Sequence, residues 1–464
     1  MVFNSLHFLV FFGIVTSAYF LLAHRFRWLW LLIASCYFYM VFKPEYILIL
    51  GFTIVVDYVA GILIENAEGV KRKLFLTASL LANIGVLAIY KYYFFIDQNV
   101  GVLTRLLGNE IHLPSWEIIL PIGLSFHTFQ AMSYTIEVFR GNQKAERHFG
   151  IYSLYVMFYP QLVAGPIERP QNLLHQFYKK HTWNTERVKA GLLQMLQGLF
   201  KKVVIADRLA LVVDQTYAEL PNQSTGNLFL ASVFYSFQIY CDFSGYSDMA
   251  IGAAKVMGFD LMKNFNAPYL AKSIPDFWRR WHISLSTWFK DYVYFSLGGN
   301  RVSVPRWYLN IMIVFLISGI WHGASWNFVI WGALHGCMQL IGLQINRYFP
   351  MLAADSQKGL MKLVYQIWTF LLVNFAWIFF RLQKFSDIKL FFKSFLQNVN
   401  VPFVHQVSSM EYLLIFGLMG GLWWMDYKKI QKPIGGFWVA FVVSIVCIYL
   451  FGIFNVKQFI YFQF

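Results

Sequence analysis

Apolar runs separated by short polar connectors cover most of this chain. Sustained hydrophobicity occurs near residues 6–23, 28–42, 45–64, 74–95, 118–138, 150–165, 189–213, 226–256, 307–346, 361–380, 411–424 and 434–455. A helix crosses a bilayer with about 20 apolar residues, so several of these windows are too short or too long for one crossing. The pattern predicts an all-α polytopic membrane protein with about 10–13 transmembrane, re-entrant and amphipathic helices.

The window at residues 307–346 contains no Asp, Glu, Lys or Arg. As one helix it would run about 60 Å, roughly twice the hydrocarbon thickness of a bilayer, so it must turn back or break. Small and polar residues interrupt it near the middle, in the order Trp321, His322, Gly323, Ala324 and Ser325. An ionisable group at membrane depth is costly and usually functional, which makes His322 the first candidate for chemistry.

Two segments mix basic and apolar residues and are predicted to be amphipathic helices at the membrane surface. The first covers residues 179–208, and the second covers residues 273–295. In the second, Trp278, Trp281, Leu285 and Trp288 recur at helical spacing, and His282 stands one turn from Trp278 on that aromatic face.

Composition supports a membrane protein: 58% of the 464 residues are hydrophobic and only 13% are charged. The formal net charge of +15 does not indicate nucleic-acid binding, because Lys and Arg are spread over short connectors. Read by the positive-inside rule, these charges predict both termini outside the cytoplasm, the C-terminus from Lys428, Lys429 and Lys432. We expect the first apolar window to be a retained span and residues 1–464 to form a single membrane domain.

A polar series within the apolar segment 121–141 includes Ser125, His127 and Gln130. These side chains are interpreted as one wall of a substrate tunnel, with helix–helix hydrogen bonding as the alternative. In the segment 238–252, Asp242, Ser244 and Asp248 lie among apolar residues. Buried carboxylates must be paired or neutralised, so the aspartates either orient an imidazole, line a polar path, or form structural ion pairs with Arg279 or Arg280.

The two histidines His322 and His282 suit acyl transfer from a thioester to a hydroxyl. An imidazole can take the alcohol proton near neutral pH without a metal, and a second one can steady the developing negative charge. Helix packing is the alternative for a lone membrane histidine. His335 would be turned roughly 140° from His322 on a continuous helix, and we interpret it as structural. Motifs of serine hydrolases, P-loop proteins and zinc proteases are absent from the sequence, and no metal is expected.

Across nearly its whole length the chain resembles the membrane-bound O-acyltransferases (MBOAT), in the bacterial branch that modifies alginate, peptidoglycan and teichoic acid. The resemblance rests on PIGLSFHTFQAMSYTIEVFRG, AGPIERP, YCDFSGYSDMAIGAAKVMGFDL, NFNAPY, SIPDFWRRWHISLSTWFKDYVY and GIWHGASWNFVIWGALHG. It implies that His322 is the catalytic residue, that His282 is its companion, and that helices form a ring around a central tunnel. The tunnel candidates are Ser125, His127, Gln130, Asp242, Ser244, Asp248, Trp278, Trp281, Trp321, Ser325 and Asn327.

The favoured hypothesis is an O-acetyltransferase of the bacterial inner membrane that passes acetyl from cytoplasmic acetyl-CoA to an extracytoplasmic polysaccharide. Acetyl-CoA is then a donor substrate, no cofactor is bound permanently, and the expected partners are membrane lipid and an SGNH-type acetyltransferase or a carrier. The alternatives are D-alanyl transfer to teichoic acid, a transporter or flippase with a proton relay, and an assembly scaffold.

Overall fold

The computed structural model describes residues 1–109, 111–114, 116, 118, 120–428, 436–454 and 459–460. Every regular element in these ranges is a helix, which confirms the all-α prediction. The chain forms two compact units, Met1–Met195 with Met249–Met262, and Leu196–Asp248 with Lys263–Phe464. A single membrane domain over residues 1–464, with a helical ring around a tunnel, stays a prediction.

The first unit is built from short and long helices. In chain order they are α1 (Leu6–Leu21), α2 (His24–Met40), α3 (Tyr46–Asn66), α4 (Gly69–Leu87), a π-helix (Ala88–Tyr92), α5 (Tyr93–Leu106), α6 (Leu124–Arg140), α7 (Phe149–Met157), α8 (Tyr159–Leu162), α9 (Pro170–Phe177) and most of α10 (Thr185–Phe200).

The second unit begins within α10. It continues with a π-helix (Lys201–Ala206), α11 (Asp207–Ala218), α12 (Thr225–Met257), α13 (Ile274–Trp278), α14 (Ile283–Phe289), a π-helix (Lys290–Tyr294), α15 (Val304–His322), α16 (Trp326–Tyr348), α17 (Gly359–Arg381), α18 (Phe385–Gln397), α19 (Ser409–Lys428) and α20 (Gly436–Phe451). Single 3-10 turns lie at Leu220–Asn222, Pro268–Leu270, Pro350–Leu352 and Ala354–Ser356. The last residues of α12, from Met249, belong to the first unit.

Five helices in the described residues are long and apolar enough to cross a membrane. They are Tyr46–Asn66, Gly69–Leu106, Val304–His322, Trp326–Tyr348 and Gly359–Arg381. Leu6–Leu21 and Gly436–Phe451 are apolar but shorter. Lys429 and Lys432, which entered the prediction of an external C-terminus, lie outside the described residues.

In the first unit, α3, α4 and α6 pack on one another around buried polar groups. The Asp57 carboxylate on α3 accepts hydrogen bonds from Ser79 Oγ at 2.6 Å and Asn83 Nδ2 at 2.9 Å, both on α4. Because a polar group in an apolar interior is costly when unsatisfied, these bonds fix the mutual orientation of the two helices.

In the second unit, the long window 307–346 turns back as predicted. Helix α15 ends at His322, and α16 begins at Trp326 after a short turn. Ser325 caps α16, since its hydroxyl accepts from the Asn327 N–H at 3.3 Å. The two helices cross closely at Gly319 and Gly332, where a Cβ on either residue would lie 2.3 Å from a backbone oxygen of the other helix. This crossing fixes which side chains of α16 face His322.

The structure differs from the prediction in the two segments that were expected to be amphipathic helices at the membrane surface. At the end of the first, Lys202 and Arg208 are buried in the second unit. In the second, α13 ends at Trp278 and α14 starts at Ile283, so one continuous aromatic face over residues 278–288 is wrong. The break occurs at His282, whose φ of 43° no regular right-handed helix accommodates.

Candidate active site

His322 is the last residue of α15 and is 4% exposed. Its imidazole packs edge-on against three aromatic rings, with centroid distances of 4.9 Å to Trp321, 4.9 Å to Trp331 and 5.2 Å to Phe380. These rings come from the α15–α16 hairpin and from α17. The ring is therefore enclosed by apolar surface that excludes bulk water.

His282 is fully buried between α13 and α14. It is one of two non-glycine residues with positive φ in the described chain, the other being Ala267. Its Nδ1–H donates to Asn264 Oδ1 at 3.2 Å, and the same oxygen accepts from the Ser284 hydroxyl at 2.9 Å. Asn264 thus sets the tautomer, and in the neutral ring the lone pair is on Nε2. Left-handed backbone at a non-glycine residue costs free energy and concentrates at functional sites.

One indole connects the two imidazoles. The Trp321 ring lies 4.9 Å from His322 and 6.3 Å from His282, measured between centroids. The structure therefore brings the two histidines predicted from sequence into one aromatic cluster of the second unit. Trp281 is also buried, and it packs against Trp377 at 5.0 Å and against Phe277 at 5.5 Å.

His335 belongs to the same cluster, although the sequence interpretation separated it from His322 by rotation about one helix. Trp331 packs at 4.9 Å from His322 and also at 4.9 Å from His335. The indole N–H of Trp278 donates to His335 Nδ1 at 3.3 Å. Rotation about one helix does not separate His335 from His322, because α15 ends at His322 and α16 folds back against it.

The two aspartates on α12 are paired with lysines, and pairing with Arg279 or Arg280 is wrong. Asp242 Oδ1 is 2.6 Å from Lys202 Nζ, and Asp248 Oδ2 is 2.7 Å from Lys201 Nζ. Arg280 instead pairs with Asp276. Both lysines project from the π-helix Lys201–Ala206, and such local widening of a helix redirects side chains. Ser244, on the same helix α12, is buried.

Ser325 and Asn327 tie the start of α16 to the segment that follows α17. The Ser325 hydroxyl donates to the Gln383 carbonyl at 2.7 Å, and the Asn327 amide donates to the Leu382 carbonyl. These bonds fix the turn after His322, so both residues have a structural task in the described contacts.

Ser125, His127 and Gln130 lie on α6, in the first unit. His127 Nε2 is 2.6 Å from Thr53 Oγ1 on α3. Gln130 donates to the Tyr155 carbonyl at 3.2 Å and accepts from the Glu168 N–H at 2.9 Å. The Ser125 hydroxyl accepts from Lys91 Nζ at 3.4 Å. These bonds join helices and a turn of the first unit, as expected if the three side chains serve helix–helix hydrogen bonding.

Sequence reasoning assigned no role to Asn264, Trp331 or Phe380. Asn264 lies in the NFNAPY segment, but its bond to His282 spans 18 residues, and no local spacing reports such a contact. Within the described residues, no group of three or more His, Cys, Asp or Glu side chains is arranged to hold a metal ion.

Gly323 is predicted to be intolerant of any side chain. A Cβ there would lie 2.1 Å from the Phe328 ring, which is buried below the turn. Gly323→Ala should cost about 1–3 kcal/mol through overpacking and displace His322. Thermal unfolding followed by size-exclusion chromatography measures the loss, and Phe328→Leu in the same chain should restore part of it. Gly342→Ala on α16, where a Cβ meets nothing within 4 Å, is the control. Equal melting of the two alanine variants would contradict the clash.

The family model and the relatives that match this chain are all acyl-transfer proteins by their descriptions. Residues 143–386 match the family model described as MBOAT, membrane-bound O-acyltransferase family. The chain is 40% identical over 389 residues to the probable alginate O-acetylase AlgI of Pseudomonas aeruginosa, covering 83% of this chain and 72% of that protein. It is 37% identical over 386 residues to the peptidoglycan O-acetyltransferase of Helicobacter pylori, covering 77% and 72%. The teichoic acid D-alanyltransferase of Bacillus subtilis is 29% identical over 241 residues, covering 49% and 60%.

Proposed function

The chain belongs to the membrane-bound O-acyltransferase family, and from this membership we propose that it transfers acetyl from acetyl-CoA to hydroxyl groups of an extracytoplasmic polysaccharide. Membership makes it a multi-pass membrane O-acyltransferase. The acetyl group is supported by the relatives named as alginate O-acetylase and peptidoglycan O-acetyltransferase, which match over most of the chain. The observation that carries the mechanism is the pair of imidazoles packed against Trp321.

His322 acts as the general base in this proposal. Its imidazole takes the proton of the acceptor hydroxyl as the oxygen attacks the thioester carbonyl carbon. The tetrahedral intermediate collapses by breaking the carbon–sulfur bond, and the imidazolium returns the proton to the departing thiolate. The imidazole thus ends the reaction in its starting protonation state, and the products are an ester and a free thiol. The surrounding Trp and Phe rings limit hydrolysis of the thioester by excluding water.

His282 is the second imidazole. Because Asn264 holds its Nδ1–H, the group directed to the reaction is Nε2. In the neutral ring this nitrogen carries the lone pair, so it can accept a hydrogen bond from the acceptor hydroxyl and hold that group toward His322. The positive φ of His282 and its three-residue hydrogen-bond network with Asn264 and Ser284 keep this ring in one orientation.

The polymer acceptor in this proposal is inferred from the names of the matched relatives. Alginate or peptidoglycan is the favoured polymer class, with an SGNH-type acetyltransferase or a carrier as the partner that meets the acetyl group outside. The enzyme then lies in the bacterial inner membrane, takes its donor from the cytoplasm and has both termini outside. D-alanyl transfer is less well supported, because the D-alanyltransferase match covers only 49% of the chain.

Radiolabelled acetyl-CoA tests this function in proteoliposomes that contain the purified protein, with an SGNH-type acetyltransferase and a polysaccharide acceptor on the outside. We expect alkali-labile label on the polymer and an equal release of free thiol, both lost in His322→Ala. The exposed histidine variant His175→Ala is the control and should retain both signals. Transfer of D-alanine from a carrier thioester but not of acetyl would refute the acetyl assignment, and transport of solute without thiol release would refute the enzyme mechanism.

A further inference from the structure

A cavity of about 480 Å³ opens in the second unit, between the segment α13–α14 and the hairpin α15–α16. This volume lies within the roughly 300–1,000 Å³ typical of small-molecule sites. Ile311, Val314 and Phe315 of α15 and Leu343 of α16 form apolar walls. The cavity is outside the contacts assigned to the two catalytic histidines, and the proposed reaction leaves it unused.

Two cations line this cavity, and no carboxylate does. Arg279 and Lys290 are both exposed. In the described part of the chain neither forms an ion pair: the Arg279 guanidinium donates to the Pro275 carbonyl, and Lys290 Nζ lies 5.6 Å from the Phe295 ring. Their charge is therefore available to an anionic group of a ligand.

The cavity lining also contains hydrogen-bonding groups. At one end, the Trp307 indole N–H donates to the Tyr294 hydroxyl at 2.8 Å. Phe315 stands eight residues farther along α15, about 12 Å away, and its ring packs against Trp278 at 5.6 Å. Gln339 Oε1 is buried and accepts no hydrogen bond from the described residues. The site therefore fits an amphiphile with an anionic head, a hydroxyl donor and one aliphatic chain.

We propose that this cavity binds one acyl chain of phosphatidylglycerol from the surrounding membrane, with the lipid phosphate held by Arg279 and Lys290. The headgroup hydroxyls of this lipid supply the donor that Gln339 lacks. The aliphatic chain of the lipid packs against Ile311, Val314 and Leu343. A zwitterionic lipid carries a cationic group that the two basic residues repel, so the site selects anionic lipid.

A bound chain would also support the histidine cluster, and this step rests on the proposed function. Trp278 lines the cavity, and its indole N–H donates to His335. His335 packs on Trp331, which packs on His322. Occupancy of the cavity restrains the Trp278 ring and, through these contacts, the position of His322. Acetyl transfer should accordingly be faster in membranes that contain phosphatidylglycerol.

Lipid retention tests the site without reference to catalysis. The full chain is reconstituted in phosphatidylcholine nanodiscs with or without phosphatidylglycerol, released, and examined by native mass spectrometry for bound lipid. Each cation beside an anionic lipid contributes about fivefold, so Arg279→Gln with Lys290→Gln should weaken phosphatidylglycerol retention about 30-fold. Arg306→Gln removes an exposed cation of the same region that does not line the cavity, and it should retain the lipid.

A second pair of variants tests the apolar part. Val314→Trp fills the cavity and should abolish retention, whereas Ile317→Trp places the same ring on an exposed position of α15 outside the lining. Unchanged retention in both Val314→Trp and the double glutamine variant would overturn the lipid site. Displacement of phosphatidylglycerol from the wild-type protein by acetyl-CoA would also overturn it, because the cavity would then hold the donor. Failure of acetyl transfer alone leaves the retention result intact and bears only on the proposed function.

Discussion

Replacing His322 by alanine should lower the rate of acetyl transfer by about 10²–10⁴-fold, the contribution of a positioned general base. In the proposed reaction the acceptor hydroxyl loses its proton as it attacks the thioester, and no other described histidine except His282 packs against Trp321. Initial rates of acetyl transfer from labelled acetyl-CoA in proteoliposomes measure the effect.

Folding must be separated from chemistry in this variant, because alanine leaves a void among Trp321, Trp331 and Phe380. His322→Gln keeps most of the side-chain volume but supplies no base, so it should lose activity to the same extent while melting close to the wild type. His335→Gln is a matched change on the opposite side of Trp331 and should reduce the rate much less. Near-normal rates in His322→Gln would rule out the assignment.

The position of His322 at a turn follows from the length of the apolar run and from the polar segment near its middle. An uninterrupted apolar run of about 40 residues has to fold back in a bilayer, and the only polar interruption near its middle is the Trp-His-Gly-Ala-Ser segment. The structure ends α15 at His322, as this reasoning requires. The membrane helices were also recognisable from the sequence, because an apolar window is a local property of the chain.

Contacts between distant segments were not recognisable. Trp331 faces His322 because α15 and α16 cross at Gly319 and Gly332, and residue spacing along one helix cannot report a crossing point. Asn264 reaches His282 through a turn with left-handed backbone, which periodicity treats as an ordinary helix. The site residues named from sequence alone therefore included the two imidazoles and Trp321 but lacked the residues that hold them.

The lysines at positions 201 and 202 illustrate the same limit in electrostatic terms. Their basic, amphipathic surroundings favoured a surface helix, whereas the π-helix directs Lys201 toward Asp248 and Lys202 toward Asp242, which are 47 and 40 residues away in sequence. Two aspartates within an apolar stretch did signal that a pairing or neutralising partner had to be nearby, and cations were among the alternatives. They did not specify which cations, because every arginine and lysine in neighbouring connectors satisfied that requirement equally.

Lys202→Met should destabilise the protein by about 3–5 kcal/mol, the usual result of removing one partner from a buried ion pair. Lys202 Nζ lies 2.6 Å from Asp242 Oδ1 and 2.9 Å from Asp207 Oδ1, and all three side chains are buried. Methionine fills nearly the same volume, so the loss reports the carboxylates left without their cation. Unfolding in detergent with increasing SDS, followed by tryptophan fluorescence, measures the change.

The neighbouring lysine provides the matched control. Lys201 pairs with Asp248 at a comparable distance, but the side chains are 22% and 25% exposed, so the remaining carboxylate is less enclosed by protein. Lys201→Met should therefore cost much less than Lys202→Met. Adding Asp242→Asn and Asp207→Asn to Lys202→Met removes the uncompensated charge and should recover most of the stability. If Lys202→Met and Lys201→Met unfold at the same SDS fraction, burial does not control the strength of this pair. If the triple variant recovers nothing, the loss arises from packing around the π-helix rather than from charge.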